Sequence, residues 1–171
     1  MKTIACIFAI LMLAGTTMAQ QNQLPDVTLK NLDGHPVSLD EIAGTGSSTV
    51  ILFWKSTDGK CCDNLESLQE VYEETTENGM VQIISICVDG TGTWSHVKPY
   101  VTAKGYEFET FVDVNGDLKR ALNVGNLPCT IVFDQLNQQV CRYENYCAGY
   151  AGLLCDKICS QAMAVAGNED K

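Results

Sequence analysis

Apolar residues recur in two patterns along the chain. Nearly continuous runs occupy Val50 to Trp54, Val81 to Val88 and Ile131 to Phe133. Short unbroken runs between turn signals read as strands covered on both faces. Alternation marks Leu24 to Leu29 and Pro36 to Leu39, and the turn at Asn31 to Gly34 makes these a short hairpin. Leu65, Leu68, Val71 and Tyr72 recur at helical spacing after the first buried run. Asn78-Gly79 is placed to end that helix with a left-handed cap. Leu39 to Ile42 forms a helical turn, Trp94 to Ala103 a helix ended by Gly105, and Phe108 to Val112 a strand. Asn115-Gly116 turns the chain, and Asp117 is expected to cap a brief helix over Leu118 to Leu122. Gln139 to Glu144 returns as a strand. Gly149 to Val165 closes the chain as a helix with Leu153, Leu154, Ile158 and Met163 apolar. This order requires a mixed sheet with helices on both faces, an α/β fold.

The join between the first buried strand and the first long helix concentrates the chemistry. It reads Lys55-Ser56-Thr57-Asp58-Gly59-Lys60-Cys61-Cys62. A helix N-terminus offers unpaired N–H groups and a positive dipole end, which favour a thiolate. Asp58 is suited to cap this helix by accepting from N–H groups two or three residues on, which puts Cys61 near the third helical position. Its carboxylate opposes the dipole by raising a nearby thiol pKa, and Lys60 opposes Asp58.

Composition narrows the setting. The 171 residues suit one domain. Residues 1–19 read as a secretory signal peptide: Lys2, an apolar stretch from Ile4 to Ala14, and a small-residue cleavage site at Thr17-Met18-Ala19. The apolar part is short for a membrane span, and the position after cleavage carries no cysteine for a lipid anchor. The domain is then 20–167, with a tail at 168–171. Of 11 basic and 21 acidic residues the signal removes Lys2, so the mature charge is 10 minus 21, or −11. Such a surface argues against nucleic acid and anionic membrane as partners. Removing Cys6 from nine cysteines leaves eight, an even number compatible with disulfides in an oxidising compartment.

Phe53-Trp54-Lys55-Ser56 before a cysteine at a helix start resembles thioredoxin-like proteins, above all the secreted TlpA/ResA-type thiol–disulfide oxidoreductases. The hairpin Pro25-Asp26-Val27-x-Leu29 through Gly34 to Leu39 also resembles that branch, and Val124-Gly125 fits it. The resemblance covers about residues 24 to 165. It implies a thioredoxin-like mixed sheet flanked by helices, with an N-terminal β-hairpin extension. It further implies that Pro128 has a cis peptide bond and faces the redox site, which would put Cys129 within reach of Cys61. The family carries Cys-x-x-Cys at the helix start. Its second cysteine matches Cys61, but its nucleophilic first cysteine falls on Asp58. The chain therefore reads Asp-Gly-Lys-Cys, an atypical centre.

Three readings of Cys61-Cys62 stay open. One thiol is a working nucleophile resolved by a distant thiol, or one is a structural staple to Cys129 or another cysteine, or the site is degenerate on a retained scaffold. A vicinal disulfide is strained. Cys87, inside a strand, reads as a buried hydrophobe. Cys155 and Cys159, four apart on one helix, stand about 6 Å apart at Cβ. A disulfide needs about 3.8 Å, so at least one bridge from Cys155 or Cys159 to Cys141 or Cys147 is expected instead. No Cys-x-x-Cys knuckle supports zinc. No phosphate loop is present, and no cofactor is called for. The peroxiredoxin pattern P-x-x-x-T-x-x-C is absent, since Thr57 lies four before Cys61 and no proline precedes it.

The favoured function is that of a secreted, periplasmic thiol–disulfide oxidoreductase acting on exported cysteine-containing proteins or a redox partner protein. It would use Cys61, helped by Pro128 and by Cys62 or Cys129, and its candidate site residues are Asp58, Cys61, Cys62, Pro128 and Cys129. The alternative is a non-catalytic binding module that kept the groove beside Pro128 and lost redox turnover.

Overall fold

The computed structural model describes residues 23–43, 46–75, 81–145, 149 and 151–156. The signal segment, the Asn78-Gly79 cap, Cys147, Cys159, most of the closing helix and the tail lie outside the described residues.

The hairpin is β1 (Thr28–Asn31) and β2 (Pro36–Ser38), followed by α1 (Leu39–Ala43). Then come β3 (Ser48–Trp54), α2 (Gly59–Thr75) and β4 (Val81–Cys87). The helix expected from Trp94 divides into a 3-10 turn, Trp94–His96, and α3 (Val97–Lys104), ended by Gly105 at φ 71. The chain continues through β5 (Glu109–Val112), α4 (Asp117–Ala121), β6 (Cys129–Phe133) and β7 (Gln139–Glu144). Residues 151–156 are helical.

The seven strands form one mixed sheet in the order β2-β1-β5-β4-β3-β6-β7. Pairs β3–β4 and β4–β5 are parallel, while β6 runs antiparallel to both β3 and β7. Alternation along β3 explains its unbroken apolar run. Val50, Leu52 and Trp54 pack beneath α2 and α3, while Ile51 and Phe53 pack beneath α1 and α4. α2 contributes Cys61, Leu65, Leu68 and Val71 to the first core, so one stripe of the helix is buried and its acidic face stays in water.

One cap differs from expectation. Asp117 is the first residue of α4, and Gly116, at φ 72, precedes it. The cap is Asp113, whose carboxylate accepts the N–H groups of Asp117 and Lys119, each at 2.8 Å. An aspartate one turn earlier reaches the same orphan donors, because the left-handed glycine folds the chain back over it.

The C-terminal cysteines also differ. Among the described residues Cys141 and Cys155 form no disulfide with each other, and Cys155 donates to Glu74 at 3.2 Å. One of the four expected cross-pairs, Cys141 with Cys155, is thereby removed. The other three include Cys147 or Cys159, which lie outside the described residues.

Candidate functional site

The site lies at the end of β3, where parallel strands present their carboxyl ends and α2 begins. Val88 N–H donates to the Trp54 carbonyl at 2.9 Å, and Asp58 N–H to the Lys55 carbonyl at 3.2 Å. The chain turns sharply between these bonds. Asp58 caps α2: its carboxylate accepts Lys60 N–H at 2.9 Å, and its carbonyl accepts Cys61 N–H at 3.1 Å and Cys62 N–H at 3.2 Å. Cys61 is thus the third residue of the helix, as the capping argument requires.

The two adjacent cysteines have different surroundings. Cys61 is fully buried, with 0% exposure. Burial pushes its thiol up to about 11, aided by the negative fields of Asp58, Cys62 and Asp89 and opposed by the Lys55 backbone N–H directed at its sulfur. Between the opposing influences of helix end and carboxylate, the balance goes against the thiolate: desolvation, with two carboxylates, outweighs the helix end. Cys62 is half-buried and turns toward α3. There the Tyr100 hydroxyl faces Cys62 and Tyr106, and burial raises the Tyr100 pKa. Among the described residues neither tyrosine hydroxyl has a partner at hydrogen-bonding geometry. Aromatic rings line this side, with Trp54 and Tyr100 centroids 5.7 Å apart and Tyr100 and Tyr106 centroids 6.5 Å apart.

Pro128 is buried and its bond with Leu127 is cis, as the resemblance implied. It precedes β6, the neighbour of β3 on the side away from β4. Its carbonyl accepts Asn145 N–H at 2.8 Å. Cys129 pairs with Phe53 across the two strands and packs with it among the residues beneath α1 and α4. Cys61 packs on the other face. The sheet therefore separates Cys129 from Cys61, and the two do not form the thiol pair that the loop position suggested. Burial also pushes the Cys129 thiol up to about 11, with Arg142 pulling it down and Glu144 pushing it further up.

Two residues near the site went unremarked as chemistry in the sequence. Asp89 is a buried carboxylate just past β4. Burial pushes its pKa up, yet donors from the Ser56 hydroxyl, Ser56 N–H, the Cys87 thiol and Thr93 outweigh it and hold it below the usual carboxylate range. Cys87, expected as a buried hydrophobe, is buried, but its thiol also serves this carboxylate. Burial, with Asp89 close by, pushes Cys87 up to about 12. The available signal was a charged residue at the carboxyl end of an apolar parallel strand, where sites gather in open sheets.

In chemical terms the site end holds four thiols. Three of them, Cys61, Cys87 and Cys129, are buried, and burial pushes their thiol pKa values up, while Cys62 is half-buried.

Comparison with known proteins agrees with this architecture. The fold is similar to that of an uncharacterized thioredoxin-like protein from Porphyromonas gingivalis, at 30% identity over 83% of this chain and 93% of that one, with a TM-score of 0.71. It is also similar to a secreted Mycobacterium tuberculosis disulfide oxidoreductase homologous to E. coli DsbE, at 17% identity over 79% and 96% of the two chains (TM-score 0.65). StoA from Bacillus subtilis matches at 16% identity over 78% and 96%, with a TM-score of 0.62. No curated protein matches the chain. Residues 21–140, which carry the hairpin, the Asp58–Cys62 turn and Pro128, match the AhpC/TSA family. With a sheet, a helix-start cysteine and a cis-proline in the thioredoxin-like arrangement, the chain belongs to the AhpC/TSA family.

Proposed function

We propose that the protein is an exported thioredoxin-like thiol–disulfide oxidoreductase with an atypical centre, and that it exchanges disulfides through the single thiol of Cys62. The observation that carries this reading is exposure: Cys61, Cys87 and Cys129 are buried, whereas Cys62 is half-buried at the start of α2. A thiol in exchange must reach its disulfide as a thiolate. The nucleophile expected at Cys61 therefore moves one residue on. Cys62 sulfur attacks a substrate disulfide, forms a mixed disulfide and releases one substrate thiolate. A thiolate of the same substrate or of a redox partner protein then attacks the mixed disulfide and frees Cys62. The cycle leaves the number of disulfides unchanged, so it rearranges them without net reduction.

Exported cysteine-containing proteins are the proposed substrates. The signal segment at residues 1–19 supports a periplasmic setting, and the disulfide oxidoreductase among the similar structures is itself described as secreted. Pro128 supplies a wall of the proposed peptide groove on the β6 side. A second reading, a binding module without turnover, is favoured by Asp58 standing where the family has its attacking cysteine.

Refolding of scrambled ribonuclease in a glutathione buffer separates the two readings. The parent is expected to accelerate it, with Cys62→Ser inactive and Cys61→Ser close to the parent. Insulin reduction by the parent is expected to be weak, and Asp58→Cys, which rebuilds a Cys-x-x-Cys spacing with Cys61, gains it. A parent inactive in both assays beside an active Asp58→Cys would select the binding module. Activity that survives Cys62→Ser would refute the single-thiol cycle.

A further inference from the structure

A carboxylate as deeply buried as Asp89, at 0% exposure, is costly unless donors satisfy its oxygens. Ser56 provides two of them: its N–H donates to Oδ1 at 3.1 Å, and its hydroxyl donates to Oδ2. The Cys87 thiol and the Thr93 hydroxyl face the same group. Ser56 stands 33 residues before Asp89, inside the turn that joins β3 to α2. The contact therefore ties that turn to the end of β4. Lys55, next to Ser56, directs its N–H at the Cys61 sulfur, and its carbonyl holds Asp58 N–H at 3.2 Å. Asp58 in turn accepts the N–H groups of Lys60, Cys61 and Cys62. A continuous set of bonds thus runs from Asp89 through Ser56 and the turn to the first residues of α2.

We propose that Asp89 is a positioning residue of this site: through Ser56 it clamps the Lys55–Asp58 turn over Cys61 and keeps that thiol out of exchange. The second half of the proposal rests on Cys62 being the working thiol. The clamp acts in two ways. It holds the cap and the sealing turn in place, and its charge adds to the field that, after burial, disfavours the Cys61 thiolate. The groups whose fields reach Cys61 are Asp58 from the turn, Cys62 from its own helix and Asp89 from the end of β4. Those facing Asp89 are Ser56, Cys87 and Thr93. With Cys61 silent, a mixed disulfide on Cys62 waits for an outside thiol instead of collapsing onto its neighbour.

Two variants of the full-length protein test the two actions. Asp89→Asn keeps the size of the group and an oxygen for Ser56 N–H but removes the charge. In protein labelled at cysteine Cβ with carbon-13, the Cys61 titration is expected to fall measurably below about 11 while staying above the ordinary thiol range, because burial, the main cause, remains. A purely structural role would not move it. Ser56→Ala removes a side chain that is not fully buried and leaves the charge. Hydrogen exchange at the Asp58, Lys60, Cys61 and Cys62 amides is expected to speed up about ten-fold or more relative to β3 and β4 amides, as local opening becomes easier. An unchanged Cys61 titration in folded Asp89→Asn would overturn the charge half. Unchanged exchange in Ser56→Ala would overturn the clamp, and this second variant decides the matter if Asp89→Asn does not fold. Neither readout depends on turnover, so a failure of disulfide exchange at Cys62 is separable from a failure of the clamp.

Discussion

Cys61 and Cys129 lie at the same end of the sheet and on opposite faces of it. Cys61 is held beneath α2 and α3 with Trp54, and Cys129 beneath α1 and α4 with Phe53. Both are fully buried, and burial pushes both thiols up to about 11. The charges around them differ in kind. Cys129 is influenced by Arg142 and Glu144, a pair at 3.4 Å that remains partly open to solvent, where screening weakens the field. The field at Cys61 comes from Asp58, Cys62 and Asp89, and Asp89 is wholly buried and bonded into the turn over the site. Equal burial thus produces equal protonation, but Cys61 alone of the two is tied to a charge that the fold itself holds in place.

The sharpest way to separate the faces is to open them one at a time. Trp54→Ala and Phe53→Ala each delete a fully buried aromatic side chain and are expected to cost about 3–5 kcal/mol, read by urea unfolding. The thiol each one uncovers should differ. Trp54→Ala is expected to bring Cys61 into reach of iodoacetamide, and Phe53→Ala to uncover Cys129. Mass spectrometry of the modified peptides reads this, and the same thiol uncovered by both variants would collapse the two faces into one.

A smaller effect follows from what the thiols share. A thiol whose folded pKa is raised stays protonated in the fold after the unfolded chain has ionised. Its contribution is intact below about 9, the ordinary thiol value, and is lost as pH rises through about 11 for Cys61 and Cys129. Cys87 extends the same loss toward about 12. The urea midpoint is expected to drop between pH 8 and pH 11, by on the order of a few kcal/mol in stability across the three. Cys129→Ala should flatten the slope in part, and a midpoint flat over this range would contradict burial as the common cause.

The smallest effect concerns the turn alone. Asp58→Ala removes the carboxylate that accepts Lys60 N–H at 2.9 Å. The expected loss is about 1 kcal/mol, seen in the same unfolding experiment, with Cys129 undisturbed on the far face.

Much of this architecture was legible in the residues. Val50 to Trp54 is apolar throughout because helices cover both faces of β3, and that is what an unbroken run encodes. The Asp58 cap was legible because capping is local: donor and acceptor lie two residues apart. The partner of Cys61 was not. Starting the strand at Ile131 left Cys129 in a loop, free to face the site. β6 begins at Cys129, which gives it the parity of Ile131 and Phe133 and so the opposite face. Asp89 was passed over because its meaning comes from Ser56, 33 residues away, and no local pattern connects them. The Asp117 cap was misplaced by four residues because Gly116, at φ 72, turns the chain back onto Asp113.

The account turns on Cys62 as the thiol that exchanges beside a silent Cys61. Incubating the folded protein with glutathione disulfide near neutral pH, then locating the mixed disulfide by fragmentation of the Cys61–Cys62 peptide, tests this directly. Glutathione is expected on Cys62, with Cys61 modified only after denaturation. Glutathione on Cys61 in the folded protein at a rate equal to that on Cys62 would contradict it.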